Sequence, residues 1–67
     1  MISRRITCAD IRNTYIADDD GVLVITQDLV RNLWHITGIE YWHAHELGPH
    51  APPAVLAIWR ESQRVTA

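Results

Sequence analysis

Three of the chain's four histidines fall within EYWHAHELGPHAPP, residues 40–53, beside Tyr41 and Trp42. Imidazole serves both as a metal ligand and as a proton carrier near neutral pH, so spacing decides which chemistry is within reach. On a helix, Glu40 and His43 lie three apart and project to one side, where His35 and His50 from neighbouring elements would complete a ligand set. On that helix His43 and His45 do not face each other; in an extended segment they do, and Glu40 leaves them. No single backbone geometry uses all these ligands. A His-containing metal site is therefore a minor alternative, and no metal or other cofactor is assigned.

The segment IADDDGVLVITQ invites comparison with a calcium loop, because Asp18, Asp20 and Gly21 fit its third, fifth and sixth positions. Ile16 stands where the first carboxylate belongs and Gln27 where the closing bidentate glutamate belongs, so the segment reads as an acidic turn. For catalysis a nucleophile needs a base within hydrogen-bond reach and a group to orient that base. Asp28 and His35 would lie about 10 Å apart along a helix. Ser3, Ser62 and Thr66 sit near the ends of the sequence, and there is no glycine-rich phosphate loop. The chain is not expected to be an enzyme, and no catalytic residue is assigned.

These residues must be positioned by a very small fold. The chain has 67 residues, enough for a single domain that buries only about 60% of its unfolded surface. Cys8 is the only cysteine, so neither an intrachain disulfide nor a cysteine-based zinc site can reinforce the domain; it is expected to act as a small buried hydrophobe in a reducing, cytoplasmic setting. No stretch reaches the length of an apolar membrane span, and MISRRITCAD lacks a signal-peptide core, so the protein is expected to be soluble. Added buried area would have to come from a partner or a second copy.

The expected fold is α+β, with an N-terminal β-hairpin followed by a small three-helix cluster in one domain, 1–67. DDDG at 18–21 closes the hairpin, which spans about 6–26, with VLVIT as its second strand. Asp28 offers an N-cap for a helix over about 28–37 that Gly38 stops. A second helix over about 39–47 ends at Gly48 and Pro49, and a third over about 53–65 begins at Pro53. The expected core is Val22, Val24, Leu29, Leu33, Trp34, Val55, Ile58 and Trp59.

Charge separates the functional alternatives. The net charge is −2, and residues 10–28 hold five Asp against one Arg. An acidic turn attracts basic protein surfaces, and an aromatic and histidine patch can anchor a dry contact centre. The leading expectation is thus a protein-interaction module, acting as an adaptor, inhibitor or assembly and regulatory subunit. Tyr41, Trp42, His43 and His45 would make the contact and Asp18, Asp19 and Asp20 would steer it, with another protein or a second copy in a homodimer as partner. The alternative is a helix-turn-helix-like DNA-binding dimer using Arg4, Arg5, Arg31, Arg60 and Arg64. The acidic balance counts against it, since backbone binding requires phosphate neutralisation.

Overall fold

The computed structural model describes residues 1–30 and 35–66. Four antiparallel strands follow one another in sequence order across a single sheet: β1 (Ile2–Cys8), β2 (Ile11–Ala17), β3 (Gly21–Asp28) and β4 (His35–His43). A short 3-10 turn, Ala44–Glu46, and one helix, α1 (Pro53–Thr66), complete the elements among the described residues. This replaces the expected hairpin and three-helix cluster. Among the described residues only the last of the three expected helices forms; β3 extends through Asp28, and β4 takes the end of the first expected helix and the first half of the second. Leu33 and Trp34, expected in the core, and Arg31 lie outside the described residues.

Pairing along β3 explains the correction. Ile36, Thr37, Ile39, Tyr41 and Trp42 are β-branched or aromatic and fit a pleated surface better than a helix. Once paired, β4 runs in register with β3 from Gly21 opposite His43 to Asp28 opposite His35, with one irregularity at Thr26/Gln27. Gly38, a helix stop in the sequence reading, lies inside β4 opposite Thr26. The Asp28 carboxylate serves a turn rather than a helix cap: its Oδ1 accepts the Val30 N–H at 2.9 Å. The expected long first strand is divided by a two-residue turn at Ala9 and Asp10, which leaves Cys8 opposite Ile11. Such tight hairpins require positive φ, and Ala9 adopts 53°.

The acidic turn joins β2 to β3. Asp18 Oδ1 accepts the N–H groups of Asp20 (2.8 Å) and Gly21 (3.1 Å), and the Asp18 N–H donates to the Gly21 carbonyl at 3.0 Å. This side-chain mimicry of a backbone turn is the reason an aspartate suits position 18.

The core lies between α1 and one end of the sheet. Val55 and Ile58 of the helix pack on Ala17 and Val22, all four nearly or fully buried, with Ile2, Tyr15, Val24, Trp42, Leu47 and Trp59 around them. Ser62, one turn beyond Ile58, is 1% exposed and extends the same helix face. An ion pair at 2.5 Å between Arg4 and Glu61 links β1 to α1 at the surface; both side chains are substantially solvated, so it adds less than about 1 kcal/mol. Away from α1 the sheet continues with Ile6 and Ile11 exposed. Cys8, expected to be buried, is exposed there too. Leu29, expected in the core, is half-buried in the turn after β3. Among the described residues no helix is long and apolar enough to cross a membrane.

Candidate functional site

Side chains alternate across a sheet, so the residues that meet α1 define the opposite face as well. Ile2, Tyr15, Val24 and Trp42 pack towards the helix. Their neighbours project to the side that no element among the described residues covers. There Ile16, Leu23 and Tyr41 form one cross-strand row; Thr14, Ile25 and Ile39 form the next. Arg12, Gln27 and Ile36 form a third, while β1 contributes Ser3, Arg5 and Thr7 at its edge. The apolar members make a continuous patch on which Ile39 is 67% exposed, Ile36 49% and Tyr41 38%.

The aromatic and histidine residues border this patch at the acidic end. The Tyr41 and His43 rings meet edge to face at 4.6 Å, and the His43 and His45 rings stack at 5.5 Å with 15° between their planes. Two backbone bonds hold the arrangement. The His43 N–H donates to Glu46 Oε1 at 3.0 Å, which fixes the start of the 3-10 turn. The Ala44 N–H donates to the Asp20 carbonyl at 2.8 Å, which ties β4 to the acidic turn. Asp18, Asp19 and Asp20 are all exposed beside it.

Tyr41 registers that proximity. Its phenol is held above the ordinary value of 10.0, first by desolvation and then by the negative charges of Asp18 and Asp20. A raised folded-state value favours the neutral phenol, so its contribution to stability is present below the unfolded value and is lost as pH rises through the folded one. Asp18→Asn with Asp20→Asn, made in a Tyr15→Phe background, should move the phenol back towards its ordinary value without fully restoring it, because desolvation remains. Ultraviolet titration of the phenolate reads this directly, and the amide introduced at position 18 keeps an oxygen to accept the turn's N–H groups.

The structure thus brings Tyr41, His43 and His45 together with the acidic turn, and it turns Trp42 away. The Trp42 indole N–H donates to the Glu40 carboxylate, and its ring packs against the core on the helix side. The Glu40 and His43 pair of the metal reading is split between the two faces of β4. Among the described residues no group of three or more His, Cys, Asp and Glu side chains gathers in a metal-holding arrangement. Asp28 and His35, two helical turns apart in the sequence reading, are paired positions on adjacent strands.

The arginines also divide. Arg4, Arg60 and Arg64 line a shallow concavity of about 370 Å³ with Ala57 and Glu61. Arg5 projects to the opposite face of the sheet. With one α-helix among the described residues, the helix-turn-helix geometry is not formed.

Sequence reasoning missed Ile16, Leu23, Ile25, Ile36 and Ile39. The signal was the uninterrupted run VLVI at 22–25: a strand apolar at both parities has two faces to cover, whereas a strand with one solvated face alternates. Val22 and Val24 meet the helix, and Leu23 and Ile25 form the centre of the other face. Comparison with known proteins finds no matching family model, no matching curated protein and no matching solved structure.

Proposed function

We propose that this chain is a small protein-interaction module that binds its partner through the helix-free face of the sheet. The carrying observation is the continuous apolar surface of Ile16, Leu23, Ile25, Ile36, Ile39 and Tyr41 on a face that no element among the described residues covers. Contiguous apolar surface rimmed by polar groups marks an interaction site more often than it marks an ordinary solvated surface. Here the rim is Arg5, Ser3 and Thr7 along one edge and the Asp18–Asp20 turn with His43 and His45 at one end. Tyr41 has the character of an anchor, a large apolar ring with a polar tip. A cytoplasmic setting belongs to the same reading, since the exposed thiol of Cys8 suits a reducing compartment.

Capture from native extract, with the wild-type chain and Ile39→Asp as parallel baits and nuclease present in both, tests the reading. Ile39 is already 67% exposed, so the aspartate variant should keep the wild-type circular dichroism spectrum. Placing a carboxylate within the apolar patch, beside Ile25, should weaken binding by about thirtyfold or more, the scale of an interface hot spot. Undiminished capture by Ile39→Asp would remove this face from consideration. In a parallel capture run without nuclease, a partner that is recovered there and lost when nuclease is added would instead direct attention to Arg4, Arg60 and Arg64.

A further inference from the structure

We infer that the occupant of the helix-free face is a second copy of this chain. The two sheets stack face to face about a two-fold axis that lies in the interface and runs across the strands. The inference rests on the reading of that face given above and names its partner.

Size is the first argument. Four strands about 4.8 Å apart and seven residues long at about 3.4 Å each present a face of roughly 19 by 24 Å. That is on the order of 450 Å² in projection, and more once the relief of the side chains is counted; a standard interface takes about 800 Å² of accessible surface from each partner. Stacking therefore uses nearly the whole face and leaves no part of the patch wet. The result is a sandwich with helices on its two outer sides, the usual way an antiparallel sheet with two apolar faces is completed.

Charge selects the axis. On this face the negative end is the turn at Asp18, Asp19 and Asp20, while Arg12 on β2 lies towards the other end and Arg5 on β1 stands in the middle row beside Thr14. An axis running along the strands would set one acidic turn against the other. An axis across the strands reverses the strand direction of the second copy, so each acidic turn meets the end of its neighbour that carries Arg12. It also lays the row of Ile16, Leu23 and Tyr41 over the partner's row of Thr14, Ile25 and Ile39, apolar on apolar at the centre. A two-fold interface must be self-complementary in this sense.

The sheet edges are poorer sites for a second copy. β1 carries Arg4 and Arg5 side by side, and the pairing of β4 is interrupted at Thr26/Gln27. Charges and bulges of this kind discourage edge-to-edge extension. The face is left as the surface without such protection.

Sedimentation of the intact chain from about 1 to 100 µM covers the weak end of the affinity range for interfaces of this size. A dimer is expected, with the dissociation constant raised about a hundredfold by Ile39→Asp. If Ile39→Asp should fail to fold, Ile36→Glu at the edge of the same patch carries the same expectation. Arg12→Glu and Asp19→Arg should each weaken the dimer several-fold, and the two together should recover most of the loss. A chain that stays monomeric across the range overturns the second copy as occupant, and Ile39-sensitive capture of another protein would then leave the face itself standing. A dimer indifferent to both Ile39→Asp and Ile36→Glu overturns the inference and the proposed use of the face together. Full dimerisation without recovery in the charge-swapped pair overturns the chosen axis.

Discussion

Gly21→Ala is expected to leave the chain largely unfolded. Gly21 opens β3 opposite His43 with φ of +157°, in a backbone region that side chains rarely occupy. A Cβ there would stand 2.0 Å from the Trp42 carbonyl oxygen and 3.0 Å from the His43 Cα. Both are backbone atoms of the partner strand, so no rotamer change can relieve the clash; β3 and β4 would have to separate at the end of the sheet that carries the core. The cost is about 3 kcal/mol or more. A domain of this length has roughly 3–10 kcal/mol in total. Gly48→Ala supplies the control, since nothing lies within 4 Å of the point its methyl group would occupy. Urea unfolding followed by circular dichroism should show the first variant without a native baseline and the second close to wild type.

Ile58→Ala carries the second largest expected effect. Ile58 is 1% exposed and belongs to a buried cluster made with Ala17, Val22 and Val55. Truncation removes apolar contacts and leaves a void between α1 and the sheet that a stiff β-scaffold closes poorly, for a loss of about 2–4 kcal/mol. With so few residues in the cluster, no second core among the described residues takes up the load. The urea midpoint should fall sharply with an unchanged slope, because the surface exposed on unfolding is nearly the same. A loss below about 1 kcal/mol would show that α1 is not seated on the sheet as described.

How much of this was legible in the sequence differs by segment. The turn at Asp18–Asp20 and the helix opened by Pro53 rest on local chemistry, an aspartate that mimics a backbone turn and a proline that tolerates the first helical turn. β4 was not legible in the same way. Its helical reading relied on Asp28 and Gly38 as start and stop, but both residues have second uses, one in an Asx turn and the other within a strand. Long-range pairing with β3 decided between them, and pairing across a turn leaves no local mark. The division of the first strand at Ala9 was equally hidden, because a hairpin turn there usually calls for Gly, Asn or Asp at positive φ and the chain supplies alanine.

The candidate site was partly legible. Tyr41, His43, His45 and the three aspartates were singled out for their chemistry and are brought together at one end of the sheet. Trp42 could not be separated from them until the strand was known, because only a strand sends adjacent residues to opposite faces. The same fact concealed the apolar patch: Ile36 and Ile39 in a helix would have been core, and in β4 they are exposed.

Site-specific photo-crosslinking in the producing cells tests the central claim most directly, with the reactive side chain placed at position 39 on the helix-free face and, in a parallel chain, at position 56 on the flank of α1. Covalent protein adducts are expected from position 39, to a second copy or to another protein, and little or none from position 56. Adducts confined to position 56 would contradict the claim and place the working surface on the helix side.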